Sequence, residues 1–450
     1  MAGSVATAPA RRGNHQQLAW GVLLLSFAVF CVTAVLIVLG IHYFLFQSRL
    51  PLQNTVQLAR GTPRLIGTDS TETALSRPTD IAYNSALTTD AQAQAALTFT
   101  DQYAGSQLIA SVTLQADSSL RLRQGSRPRF DWSGDAYWID FDDVHGKFDI
   151  LVPGIVERPV ILNFLTTGGT SARLTAGGPY TLIASDERVQ VINYFGDALL
   201  VAPDRRTQSV PPGQTGAYQV QAGQFVLAAH PDVLGDAGFT QNNFLVLNTP
   251  PARVDSQAWV CNNLVQNPGD PMGAVGLAMI DGRTALRLFR GDNAESHGES
   301  GCWHSIGTGT GGLDVTNYNS VSIRATFKIE SQTLSACGTV GSECPLMLAM
   351  DYIPANGGTP VKWYHGFYAF VDPNRVFPLR CDTCSEQHEL INPGVWYTYE
   401  VSNLFEIFSP QDRPKTILNM RFYASGHQYE VYVSQVVLLV DQPDVDDLAG

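Results

Sequence analysis

The chain has 450 residues, of which 44 % are hydrophobic and 15 % charged, and its formal net charge is −13. That length holds two or three domains of ordinary size, and the charge fraction is low beside the roughly 25 % typical of soluble domains. An acidic chain with no basic stripe excludes nucleic acid as a partner, because phosphate binding needs clustered Lys and Arg.

Residues 1–17 are small and polar and read as a short cytoplasmic tail. Residues 18–46 run LAWGVLLLSFAVFCVTAVLIVLGIHYFLF. As a helix this is about 40 Å long, enough to cross a hydrocarbon core of about 30 Å with some tilt. Trp20 and Tyr43 stand where interfacial aromatics belong. A cleaved signal would have an apolar core of only about 7–15 residues, and Ile41 to Leu45 makes a poor cleavage site. The reading is therefore an uncleaved anchor in contact with membrane lipid through residues 18–46. Arg11 and Arg12 favour the N-terminus inside. Residues 1–46 contain no Asp or Glu, and the chain has no Asn-x-Ser/Thr sequon. These features predict a bacterial cytoplasmic membrane, crossed once, with the C-terminal domains in the periplasm or at the cell surface.

Residues 47–53 read as a tether. Beyond them come short alternating runs broken by Gly, Pro, Asp and Ser: Ser118–Arg123, Tyr137–Phe141, Val160–Leu165 and Arg188–Tyr194. Each is a period-two strand signal. The Ala/Gln-rich stretch 91–98 admits a helix, but the strand reading suits its surroundings better. Thr88-Thr89-Asp90, the run Ala96 to Asp101 and Gly105-Ser106 resemble the opening of FecR-type domains. The run Val189 to Val201, with Gly196 at its turn, and then Val210-Pro211-Pro212-Gly213-Gln214 resemble their closing strands. The resemblance spans residues 54–232 and implies an extracytoplasmic β domain, in some members the sensor arm of a membrane regulator. The 17-residue tail leaves no room for an anti-sigma module.

Residues 233–252 form a loop-rich junction ending at Pro250-Pro251. Residues 253–443 carry seven strand signals: Ala285–Phe289, Ser320–Ile329, Pro345–Tyr352, Gly366–Val371, Trp396–Val401, Thr416–Tyr423 and Tyr429–Val440. Gly282 before Ala285-Leu286, Gly394 before Trp396, and Gly426 before Tyr429 stand as in galactose-binding-like jelly rolls, the fold of many carbohydrate-binding modules. Residues 444–450 read as an acidic tail. The fold class expected is an all-β ectodomain of two β domains, the second a jelly-roll sandwich, on a single N-terminal transmembrane helix.

Six of the seven cysteines lie beyond residue 253, which points to disulfides and an oxidising compartment. Cys381 and Cys384 form a CxxC with His388 nearby, a spacing that zinc or redox sites also use. No second CxxC follows, so loop disulfides are the simpler reading. The economical one of fifteen pairings joins Cys261 to Cys302, Cys337 to Cys344, and Cys381 to Cys384.

Trp303, His304, Trp363, Tyr364 and His365 are the candidate ligand-binding residues, since sugar rings stack on aromatic faces beside polar groups. Trp303 and Trp363 are expected to flank loops, whereas Trp396 is expected in the core. Asp140, Asp142, Asp143 and Asp149 alternate as on a solvated strand face. Asp281 and Asp441 are candidate ligands for a structural Ca²⁺; no other cofactor is expected. No Gly-x-Ser-x-Gly, His-Glu-x-x-His, phosphate loop or dinucleotide fingerprint occurs. The expectation is a non-catalytic, membrane-anchored binding or sensing protein whose jelly roll captures a glycan or envelope component, with the FecR-like domain as stalk or signalling contact. The alternative is a structural subunit of an envelope assembly that binds a protein partner; a hydrolase ranks third.

Overall fold

The computed structural model describes residues 15–154, 156, 158–229, 232–234, 239, 244–247, 258–291, 293–307 and 311–441. The acidic tail at 444–450, most of the N-terminal tail and much of the junction lie outside these residues.

An apolar helix, His15–His42, continues through a π-helical turn, Tyr43–Gln47. The stretch Leu18–Gln47 is long and apolar enough to cross a membrane, and its apolar window packs against nothing else in the chain. Everything after it is β-rich, apart from small helical turns such as Leu404–Ile407. The expected tether at 47–53 needs correction. Arg49–Pro51 is a strand paired with Ser126–Pro128, and Gln53–Arg60 opens the first sheet. Leu52 is buried between them, so burial draws this segment into the domain.

The first domain is a continuous, barrel-like β structure with Gln224–Ala229 at an edge, paired to Gln214–Gln219. Its long strand Tyr137–Val152 serves both sides. The first half pairs with Ser119–Pro128 and Val160–Leu165, and the second with Gln107–Leu114 and Gly178–Ala184. Phe99, Phe141, Phe148 and Phe164 fill the interior from alternate positions of their strands. Residues 94–101 are strand, as the sequence context suggests.

The second domain is a sandwich. One sheet has five strands in the order Ala274–Ile280, Arg283–Arg290, Tyr429–Asp441, Ser320–Gln332, Tyr397–Val401. The other has eight, with Gly298–Ser305, Pro414–Gly426, Leu346–Pro354 and Val361–Tyr368 side by side. Part of the junction joins this domain: Phe239 lies in its core, and Phe244–Leu247 adds an edge strand parallel to Trp259–Val265.

The five-stranded sheet is covered on both faces. One face meets the sandwich core through Ile323, Ala325, Phe327 and Ile329. The other presents Arg324, Thr326, Lys328, Thr398 and Val437, all buried, to the barrel. Val437 packs with Ile192 and Tyr194 of the barrel. The polar groups form a chain across the boundary. The Thr398 backbone exchanges two hydrogen bonds with the Gln94 side chain, at 2.8 and 3.0 Å. Gln94 donates to Gln115, Gln115 donates to Asp149, and Asp149 pairs with Arg324. Thr181 Oγ1 donates to Asp149 at 3.2 Å. Burial opposes the charge on Arg324, but Asp149, Tyr194 and Glu400 outweigh it and hold the guanidinium above its ordinary value. The Asp281–Gly282 turn also touches the barrel. Gly282 has φ +71°, and a Cβ there would sit 2.6 Å from Pro153 Cγ, so the close approach requires glycine.

A buried pair is costly to break from one side only, because the remaining charge stays uncompensated. Asp149→Ala should destabilise the ectodomain by about 3–5 kcal/mol, while Asp149→Leu combined with Arg324→Met should recover part of that loss, the rest remaining with the Gln115 and Thr181 donors that lose Asp149. Denaturant unfolding followed by tryptophan emission reads both; equal losses in the single and double variants would remove the pair from this role.

Candidate ligand-binding face

Of the four sheet faces in the sandwich, two form the core and one lies on the barrel. The outer face of the eight-stranded sheet is clear of the barrel, though the Cys337–Cys344 loop buries Met347, Ala349 and Tyr423 on it. Register places one row across it: Trp303 opposite Arg421, Arg421 opposite Ala349, and Ala349 opposite Tyr364. Directly opposed residues share a face, so these four side chains stand together. Trp303 and Tyr364 are partly exposed at the ends, while Ala349 between them is buried with Tyr423 and the Cys337–Cys344 loop. Three strand spacings, about 14 Å, separate the backbones that carry the two rings. The neighbouring row is Ser305, Asn419, Asp351 and Lys362.

The polar groups on this face hold one another. The Arg421 guanidinium lies 4.3 Å from the Trp303 ring centroid and 4.0 Å from that of Tyr423, and it pairs with Glu299. Its Nε is buried without a hydrogen-bond partner. Asn419 Nδ2 donates to Asp351 at 3.0 Å, and Lys362 Nζ is 3.8 Å from the same carboxylate. Burial pushes the Tyr423 hydroxyl up. The partly exposed rings of this face are thus Trp303, with Arg421 over one side, and Tyr364, packed against the Cys337–Cys344 cluster.

One end is walled by the cysteine loops. The disulfides are Cys261–Cys302, Cys337–Cys344 and Cys381–Cys384. The first ties neighbouring strands inside the core. The second packs with Met347, Tyr368, Tyr423 and the partly buried Tyr364. His388 lies against both loop disulfides, close enough that each trio resembles a metal site. Its nitrogens are engaged, however. Nδ1 accepts from the Gly366 N–H at 2.9 Å, and Nε2 faces the Gly341 carbonyl at 2.8 Å. Burial holds this imidazole below its ordinary value, as a neutral ring bridging two loops requires.

Several candidates named from the sequence stand elsewhere. Trp363 is 2 % exposed and belongs to the core, as do His304 and His365. The expectation that Trp363 flanks a loop is thus corrected. Its strand begins at Val361, earlier than the alternation at Gly366–Val371 suggests, and Trp363, His365 and Phe367 all point inward. His304 packs edge-on against Trp259, and His365 stacks on Tyr399 at 4.6 Å. Of the five, only Trp303 and Tyr364 reach the outer face. Asp281 does not match a calcium site. It accepts from Lys328 Nζ and Trp396 Nε1, both at 2.9 Å, so a cation there would have to displace an ammonium. The side chain of Asp441 lies outside the described residues. Asp140, Asp142 and Asp143 do decorate a polar face, but Asp149 is buried at the domain boundary. Sequence reasoning passed over Arg421, Asn419 and Asp351, which sit singly among apolar strand residues; only their cross-strand neighbours give them a role.

No protein-family model matches the chain, and no curated protein is similar to it. Among solved structures, the chain is similar to a family 11 carbohydrate-binding module of a cellulosomal cellulase of Clostridium thermocellum. The identity is 11 %, the coverage 48 % of this chain and 99 % of that one, and the TM-score 0.25. A xylan-binding domain from Paenibacillus barcinonensis matches at 12 % identity over 43 % of this chain and 91 % of that one, with a TM-score of 0.22. A putative anti-sigma factor from Parabacteroides distasonis matches at 15 % identity with a TM-score of 0.20. That match covers 27 % of this chain and spans about half, 51 %, of the anti-sigma factor. These likenesses are slight, and the geometry must carry the function by itself.

The wall of the face has a pH-sensitive pin. His297 Nδ1 lies 2.7 Å from Glu343 Oε1 in the Cys337–Cys344 loop. The bond with Glu343 raises His297 above 6.5, and the bond with His297 lowers Glu343 below 4.5. The histidine's contribution is complete below pH 6.5 and lost as pH rises through its raised value. The carboxylate's is complete above pH 4.5 and lost as pH falls through its lowered value. Protection of the amides of residues 338–343, taken relative to intrinsic exchange, should therefore be greatest between those limits and fall above them. Glu343→Gln should abolish that fall; an unchanged profile would remove the pair as its cause.

Proposed function

We propose that this chain is a membrane-anchored, extracytoplasmic binding protein whose sandwich domain captures a glycan on the outer face of its eight-stranded sheet. Trp303 and Tyr364 are the stacking platforms. Arg421, Asn419, Asp351 and Lys362 hydrogen-bond hydroxyl groups between and beside them. The single observation that supports this reading most is the row Trp303, Arg421, Ala349, Tyr364, whose two end rings stay partly exposed on the outer face of the eight-stranded sheet. An aromatic–small–aromatic row suits an extended, hydroxyl-rich chain, since the sugar rings cover the aromatic faces while the rim supplies polar contacts.

The barrel serves as stalk, with N-terminus inside and both β domains outside a bacterial cytoplasmic membrane. A non-catalytic role fits the chemistry of the face. Its carboxylates are each held by a cation, Glu299 by Arg421 and Asp351 by Lys362, and hydrolysis needs an acid and a base left free to exchange protons. A second reading, an envelope-assembly subunit, draws support from the edge strands. Gln224–Ala229 exposes Val226 and Leu227, and Phe244–Leu247 exposes Leu245, Val246 and Leu247. Exposed apolar edges are where another chain adds a strand.

The test is polysaccharide retention and calorimetry with the full detergent-solubilised chain. Trp303→Ala and Tyr364→Ala should each weaken binding about tenfold. Trp363→Phe should lower stability and leave the affinity of the folded fraction unchanged. Loss of binding in the Trp363 variant alone, or in none of the three, would overturn the reading.

A further inference from the structure

Trp132 is an exposed tryptophan that the glycan reading does not use. It lies in the loop after the strand Ser119–Pro128, at 57 % exposure. Its neighbours are unusual. Trp132 stacks on Phe130 at 5.4 Å and meets Phe46 edge-on at 5.2 Å. Phe130 meets Phe44 edge-on at 5.6 Å. Phe44 and Phe46 belong to the last turn of the apolar helix, and Arg129 lies 5.2 Å over the Phe44 ring. The barrel thus sends one loop against the end of the helix and leaves its largest aromatic ring uncovered there. Tyr103, 69 % exposed, sits over the Arg127 guanidinium at 5.1 Å, on the same end of the barrel.

The attachment leaves little freedom. Arg129 N donates to Ser48 O at 3.0 Å, and Arg49–Pro51 pairs with Ser126–Pro128 immediately after the helix. Loop and helix end therefore move together. A helix that spans a bilayer ends at the headgroup level, where Trp and Tyr are favoured because an apolar ring body and a polar N–H or O–H are satisfied at once. The acids of the loop do not oppose this. Asp131 is paired with Arg127 and Arg158, while Arg129 is exposed and adds a cation beside the phosphates. Asp135 is exposed but lies beyond Trp132 in the loop.

We propose that the loop 129–135, through Trp132 and Phe130, is a second membrane contact that seats the barrel on the phospholipid interface beside its own anchor. The occupant is the headgroup–acyl boundary of the bilayer that the helix crosses. Two contacts at one level hold the barrel in a fixed orientation, so the outer face of the sandwich is presented at a set angle rather than on a swivel. The inference rests on the helix being an anchor.

The test uses the full chain in phosphatidylcholine nanodiscs, with acyl chains brominated either near the carbonyl or near the chain end. Trp132→Phe and Trp20→Phe isolate the emission of each ring by difference from the unaltered chain. Trp132 emission should be quenched by the shallow bromines and much less by the deep ones. Quenching of Trp20 with no quenching of Trp132 would overturn the second contact and leave the anchor standing. Quenching of neither ring would overturn both.

Discussion

The Asp149–Arg324 pair joins the two β domains, and the architecture depends on it. It sits where the barrel meets the five-stranded sheet, inside a chain of hydrogen bonds running from the Thr398 backbone through Gln94 and Gln115. Most of its groups are partnered, although Arg324 Nε is buried without a hydrogen-bond partner, and a network of this kind admits few arrangements. The barrel and the sandwich are consequently fixed in register rather than hinged on the Pro-rich junction. The apolar contact of Val437 with Ile192 and Tyr194 beside it removes the water that would otherwise screen the pair.

That constraint commits one outer sheet face of the sandwich to the barrel and leaves the other clear of it. The sandwich turns its aromatic row there. The loop disulfides and the bridging His388 stiffen the wall beside it, and the His297–Glu343 pin ties one of those loops to the neighbouring strand. A rigid rim limits the ordering that a ligand must impose when it binds. The same logic operates at the other end of the barrel, where a strand begins two residues after the apolar helix and an aromatic loop closes on the helix end.

Legibility in the sequence followed locality. The apolar helix, the alternating strands and the two short cysteine loops rest on short-range patterns, and each stands in the structure, while Cys261–Cys302, 41 residues apart, joins neighbouring strands. Misreadings arose where one residue type serves two environments. Trp363 and Trp303 both neighbour a histidine, yet strand phase turns the first inward and the second outward. Asp149 continues an alternation of solvated acids, yet its partner lies 175 residues away in sequence, at Arg324. The segment 47–53 looks like a tether because it is short and polar, yet Leu52 and the backbone of Arg49–Pro51 complete a sheet.

By itself, then, the sequence determined what local chemistry can settle: a helix able to span a bilayer, strands of period two, a disulfide-bearing second domain and a strongly negative net charge. Tertiary structure alone decided which sheet face is clear of the barrel, which aromatic rings reach it and which charges are buried between domains. The physical reason is that burial is a property of pairs of surfaces. The row from Trp303 to Tyr364 is assembled by cross-strand neighbours drawn from four separate strands, and no single stretch of chain contains the information that they meet.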